Sequence, residues 1–278
     1  MPTFDTPQPL SATIDIQVGH ARIIAGKRID TVVEVTPSDP GNKQDIQAAE
    51  ETVVTCADGK LLVKGPRKRS PFGKYGAVDV TVELPAGSEL TGSTGLGDLI
   101  VEGRFGNCRL TVAAGNIELE EAADVHLKTT HGDISVDRTT GEAEIYGSGR
   151  VRVSRIDGTA TIKNINGATV IGEIGGELHV KSSNGPINVM RAESSVTAKS
   201  ANGAIRVDEV VRGRVTLETS AGGLEIGIAE GTAAWLDVRS KAGRVRNELG
   251  TADGPDTSEE TVEVYGRTSV GDIVIRRA

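Results

Sequence analysis

The chain has 278 residues, a net charge of −8, 35 glycines and only seven aromatic side chains. Glycine at about 13% is nearly twice its usual share, yet the 37% apolar fraction together with glycine keeps the chain in the globular range and out of the disordered one. The excess of 39 Asp and Glu over 31 Lys and Arg argues against nucleic acid as the main partner, and two cysteines without CxxC or Cys/His spacing, Cys56 and Cys108, exclude a disulfide scaffold.

At the amino terminus, Met1-Pro2-Thr3-Phe4-Asp5 shows no basic region followed by an apolar run, and no segment reaches the roughly 18 apolar residues of a membrane span. The expectation is a cytoplasmic protein with no transmembrane segment. Residues 1–90 read as strands at Ile14–Val18, Val32–Thr36, Leu61–Lys64 and Val78–Leu84, with a helix from Asn42 to Thr52 and a hairpin turn at Ala57-Asp58-Gly59. This region is expected to cap a larger repeat array and to be continuous with it. Between two of its strands lies a basic loop with Lys64, Arg67, Lys68, Arg69 and Lys74 alongside Phe72 and Tyr75. Five cations and two aromatics on an acidic protein suit a partner-facing element, its partner an unidentified protein or anion.

From residue 91 to 278 the chain repeats. A glycine stands two residues before an apolar-x-apolar triplet at Gly97, Gly115, Gly132, Gly149, Gly167, Gly185, Gly203, Gly222, Gly243 and Gly271, at steps of 18, 17, 17, 18, 18, 18, 19, 21 and 28. A second triplet lies between successive copies: Leu110/Val112, Val125/Leu127, Ala143/Ile145, Ala160/Ile162, Leu178/Val180, Val196/Ala198 and Val215/Leu217. The alternation has the period of a strand, and nine-residue units leave no room for hairpin strands of ordinary length. Parallel stacking resolves this: coils of about 18 residues, two units each, placed one above the next at about 4.8 Å. Two short faces so close together have no volume for rings, which accounts for the scarcity of aromatics. Thr94, Thr129, Asn164, Ser182, Ser200, Ser240 and Thr268 precede the marker glycine by three, and Asn166, Asn184 and Asn202 precede it directly. These are turn residues, and the asparagines are expected to stack as a ladder. Past the regular coils, residues 247–260 read as an inserted loop, and Arg276 and Arg277 after the last triplet would discourage pairing at the terminal strand.

The reiterated Ser/Thr-x-Asn-Gly-x-Ile-x-Val units, the opening Met1-Pro2-Thr3-Phe4-Asp5-Thr6-Pro7 and the closing Thr268-Ser269-Val270-Gly271-Asp272-Ile273 resemble a bacterial β-strand-repeat family labelled "putative adhesin", of the DUF4097 type. The resemblance covers essentially the whole chain. It implies an all-β parallel β-solenoid with an N-terminal β-rich cap, and no enzyme activity.

The chemistry offered by the repeat is thin. A calcium-binding roll needs an Asp column after the marker glycine, whereas that column reads Asp98, Asn116, Asp133, Arg150, Ala168, Pro186, Ala204, Gly223, Arg244 and Asp272, with no two Asp adjacent. Thr111, Thr161, Thr197 and Thr216 fall on one outward column but are interrupted by His126, Glu144 and His179, so an ice-binding threonine array is not expected. The histidines are too far apart in the repeat to share a metal, and His20 and His131 sit in the cap and a turn. No Gly-x-Ser-x-Gly elbow is present. Glu118, Asp133, Arg150 and Arg152 come nearest to the clustered charges of a β-helical glycan-cleaving enzyme, and cross-strand ion pairing explains them equally well. The expectation is a non-catalytic scaffold or protein-interaction module without cofactor or metal. The alternatives are a cell-surface adhesin or glycan-binding protein and, less favoured, a β-helical glycan-active enzyme.

Overall fold

In the computed structural model, residues 2–66, 76–249 and 260–278 are described. They form two compact units, Met1–Asp137 and Arg138–Ala278. Apart from one helix, the regular elements are strands, and within each strand buried and exposed side chains alternate as the period-two pattern requires.

The first unit contains β1 (Thr3–Asp5), β2 (Ser11–Val18), β3 (Ala21–Gly26), β4 (Asp30–Pro37), α1 (Lys43–Glu51), β5 (Val53–Ala57), β6 (Lys60–Lys64) and β7 (Val78–Pro85). These are followed by β8 (Glu89–Leu96), β9 (Leu99–Phe105), β10 (Cys108–Ala114), β11 (Ile117–Ala122), β12 (Val125–His131) and β13 (Ile134–Thr139), which leads into the second unit. One sheet runs β1-β4-β7-β3-β9-β11 and the other β5-β6-β2-β8-β10-β12. Each coil gives one strand to each sheet, and β2, β3, β8, β9, β10 and β11 pair in parallel with their neighbours. The antiparallel pairs are all in the cap: β1 with β4, β4 with β7, and β5 with β6.

The cap follows from its local sequence. Asn42 is the N-cap of α1, its side chain accepting from the Gln44 amide at 2.9 Å, and Thr52 closes the helix. Asp45, buried on the same helix, accepts from the backbone N–H groups of Asp39 and Ala77, so one carboxylate ties helix, loop and strand together. The hairpin turn falls at Asp58 and Gly59, both with positive φ (50° and 70°), the geometry an Asp-Gly turn supplies. The expected strands are present, each slightly longer, and Thr3–Asp5, Ala21–Gly26 and Val53–Ala57 are additional. The first complete coil, β2 and β3, does not lie at the end of the stack: it is flanked by β6 and β7 on one side and by β8 and β9 on the other.

The second unit contains β14 (Ala143–Gly147), β15 (Val151–Ile156), β16 (Ala160–Asn166), β17 (Thr169–Ile174), β18 (Leu178–Asn184), β19 (Ile187–Ala192) and β20 (Val196–Asn202). It continues with β21 (Ile205–Val210), β22 (Gly213–Ala221), β23 (Leu224–Ile228), β24 (Ala233–Ala242), β25 (Val245–Asn247), β26 (Thr261–Val270) and β27 (Ile273–Arg277). Its sheets run β15-β17-β19-β21-β23-β27-β25 and β14-β16-β18-β20-β22-β26-β24. The interior is columns of Val, Ile, Leu and Ala in register, such as Ile162 beside Val180 and Val180 beside Ala198. Burying each Val, Ile or Leu contributes about 1.5–3 kcal/mol, the main favourable term for so narrow a core.

Two sequence expectations are corrected here. The coils do not stack in chain order: β26 and β27, last in the chain, lie between β22 and β24 and between β23 and β25. β27, which carries Arg276 and Arg277, is therefore not the terminal strand of its sheet. Arg276 pairs with Glu225 at 3.0 Å, and Arg277 donates to the carbonyls of Ala229 and Thr232. Second, Cys108 and Leu110 stand opposite Val125 and Leu127, so Thr111 faces Lys128 and it is Arg109 that faces His126. Residues 250–259, most of the expected inserted loop, lie outside the described residues.

Candidate functional site

The turns come first, because they decide which polar groups are committed to the frame. A Cβ built at Gly185 would lie 2.1 Å from the Gly167 carbonyl oxygen, and one at Gly203 2.1 Å from that of Gly185; positive φ at both (135° and 154°) excludes other residues twice over. The hydroxyl column turns its donors to the same glycine carbonyls: Thr129 to Gly132, Thr219 to Gly203, Thr268 to Gly222 and Ser240 to Gly271, at 2.8–3.1 Å. The asparagine ladder is present. Asn184 Nδ2 donates to Asn166 Oδ1 at 3.2 Å, and Asn202 Nδ2 to Asn184 Oδ1 at 3.1 Å.

The acidic residues read against a calcium site also have a structural task. His20 Nδ1 accepts from the Asp98 amide, Asp98 Oδ1 from the Asn116 amide, and Asn116 Oδ1 from the Asp133 amide. Asp272 Oδ1 repeats the pattern with the Arg244 amide at 2.9 Å. Each side chain thus satisfies a backbone donor of the next coil and is committed to the turn. Among the described residues, no three His, Cys, Asp or Glu side chains cluster as a metal site. Of the other charged candidates, Glu118 lies on β11 opposite Ile100 and Asp133 in the turn before β13. In the second unit, Arg150 precedes β15 and Arg152 stands opposite Val170 on β17.

Of the basic-loop residues, Lys64 ends β6 opposite Val53 and Asp15. Arg67, Lys68, Arg69, Phe72, Lys74 and Tyr75 lie outside the described residues.

The two outward faces of the second unit differ in charge pattern. On the face of β15 to β23, signs alternate down one column: Arg155 faces Glu173, Glu173 faces Arg191, and Arg191 faces Glu209. The pairs close at 2.6 Å for Arg155–Glu173 and 2.5 Å for Arg191–Glu209. Hydrogen bonds from Arg138 and Arg155 hold the Asp157 carboxyl below its ordinary range. On the face of β14 to β24, one column instead reads Tyr146, Lys163, Lys181, Lys199, Glu218. Lys163 Nζ stands 5.0 Å from the centre of the Tyr146 ring, and Lys199 pairs with Glu218 at 2.8 Å. A hydrogen bond to Glu144 raises the Tyr146 phenol above its ordinary value. The sequence reading passed over these lysines. The signal was their step of one coil, Lys163 to Lys181 to Lys199, on the outward column next to the one that Thr161, His179 and Thr197 form.

Among the described residues, the sheets of the second unit end at β24 and β25. β24, ten residues long, has one hydrogen-bonded neighbour among the described residues, β26. Its inward Leu236 and Val238 are half-exposed, although Val264, in register with Leu236, is fully buried. Val245 and Trp235 are exposed nearby, the indole 5.3 Å from the Tyr265 ring.

Parallel coils, glycine-stacked turns and uniform apolar columns define a β-solenoid protein. Residues 12–276 match the Toastrack DUF4097 family, and the chain belongs to that family. No curated protein matches it. Among solved structures, a "putative adhesin" from Parabacteroides merdae is 11% identical, with a TM-score of 0.40 and coverage of 80% of this chain and 92% of that chain. A second, from Bacteroides fragilis, is also 11% identical, with a TM-score of 0.36 and coverage of 99% and 95%. No helix among the described residues is long and apolar enough to cross a membrane.

Proposed function

We propose that this protein is a non-catalytic scaffold or protein-interaction module that takes up a protein partner at the β24 edge of its second unit. The observation carrying this is the last coil. Among the described residues, β24 has an outer row of backbone donors and acceptors beside half-exposed Leu236 and Val238, the kind of surface to which an extended partner segment adds as a further strand. In the first unit the edge strands are instead short antiparallel ones, β1 of three residues on β4 and β5 of five residues on β6. A photo-crosslinker at Leu236, with the protein at its native level in cells, should give a discrete adduct that is lost when Val238 and Val245 become lysine. An equal adduct from a crosslinker at Thr55 on β5, the short hairpin strand that ends the sheet in the first unit, would sink the proposal.

The basic loop is a second partner-facing element in the same proposal. Charge reversal at Arg67, Lys68 and Arg69 should abolish recovery of the partner it holds, and unchanged recovery removes it. A glycan-binding reading is favoured by a separate observation, the lysine column of β16, β18 and β20. The scaffold reading goes with a cytoplasmic location and the glycan reading with the cell surface, and fractionation of native cells separates them.

A further inference from the structure

Lys163, Lys181 and Lys199 are direct cross-strand neighbours on one face of the second unit, so their backbones repeat at about 4.8 Å. Like charges directly opposite one another destabilise a sheet. The other face of the unit avoids that cost by alternating sign, Arg155, Glu173, Arg191, Glu209. The lysine column is held against its own repulsion, and an anion laid along it would relieve that repulsion.

The surroundings specify the anion. A groove of about 490 Å³ passes all three lysines and is lined as well by Ser183, Ala201 and Ser220. Beyond it runs the exposed asparagine ladder, Asn166, Asn184 and Asn202, and on the opposite flank the column Thr161, His179, Thr197. Lys181 has no ion pair among the described residues. The Lys163 ammonium stands over the Tyr146 ring, and the exposed Lys199–Glu218 pair is weak enough for a ligand carboxylate to replace. The complementary ligand is linear, carries an acidic group about every 4.8 Å strand spacing, and offers hydroxyls between them to Ser, Thr and Asn. A polysaccharide with one carboxylate per sugar ring has both properties. Nucleic acid fits less well: the groove lining holds no aromatic ring on which a base could stack, and the chain carries more Asp and Glu than Lys and Arg.

We propose that this face binds an acidic polysaccharide with one carboxylate per sugar, its axis crossing β16, β18 and β20 and its carboxylates on Lys163, Lys181 and Lys199. The proposal deepens the glycan-binding reading and rests on it. The test titrates the purified full chain with polygalacturonate by calorimetry at 50 and 300 mM salt, beside the variant K163Q/K181Q/K199Q. Saturable binding is expected, weakened at least tenfold by the higher salt and at least tenfold by the three substitutions. The variant should melt at the parent's temperature or above it, because repulsion is removed. Equal binding by the variant overturns the proposal, as does tighter binding of single-stranded DNA or polyphosphate. A neutral glucan or mannan bound in place of polygalacturonate overturns it while leaving the glycan reading standing, and binding of no polymer removes both.

Discussion

Gly271 stands on Gly222: a Cβ built at Gly271 would lie 2.1 Å from the Gly222 carbonyl oxygen. Gly243 stands in turn on Gly271, at 2.0 Å by the same measure. The coil that ends the chain is therefore threaded between two that precede it, and the glycine column records the order of stacking.

The column predicts a sharp contrast between glycines. Gly185→Ala meets both a positive φ of 135° and the Gly167 carbonyl, and should lower stability by more than about 3 kcal/mol. Gly59→Ala, at φ 70° with open space around it, should cost only about 1–2 kcal/mol. Urea unfolding of the two variants checks this, and equal losses would refute the close stacking.

Threading predicts which late residue matters more. Val264, fully buried between Val215 and Leu236, should tolerate aspartate poorly, losing more than about 4 kcal/mol, whereas half-exposed Leu236 should lose about 2 kcal/mol or less. Stacking in chain order would reverse the ranking, so thermal melts of V264D and L236D decide between the two arrangements.

Acid should weaken the second unit through Asp157. Arg138 Nη2 at 2.7 Å and Arg155 Nε at 2.6 Å hold its carboxyl below the ordinary value of 3.8. A carboxylate whose pKa falls on folding adds stability above 3.8, and that share is lost as pH drops through the folded value. Asp157→Asn should therefore melt slightly below the parent at pH 6, and the gap should close as the pH is taken below 3.8. A gap that persists in acid would assign the loss to packing.

The two cysteines should differ in reactivity. Burial pushes the Cys108 thiol up to about 12, and raises the half-buried Cys56 thiol as well. Iodoacetamide at pH 8 should label Cys56 in the native protein and reach Cys108 only after unfolding, because the thiolate is the reactive species. Mass spectrometry of native and denatured samples reads this directly.

Much of the fold was legible because turns are local. Asn42 and Thr52 bracket the helix, Asp58-Gly59 makes the hairpin, and Asn166, Asn184 and Asn202 form the ladder their spacing announced. Register was harder. The apolar triplet of this strand read as Leu110/Val112, yet Cys108 fills the inward position opposite Val125 and shifts the outward column from Thr111 to Arg109. The lysine face was legible in principle from a step of one coil, but its meaning depends on which columns lie beside it and on the alternating charges of the opposite sheet.

The sequence by itself determined the coil, its period and its turns, because each depends on backbone conformations that a few neighbouring residues impose. Only the tertiary structure decided the stacking order and the charge of each face. Every coil presents nearly the same edge and the same apolar columns, so no local signal tells β26 to pair with β22 and β24; that choice rests on contacts summed over whole strands. The same sum sets three lysines side by side on one face while pairing arginine with glutamate on the other.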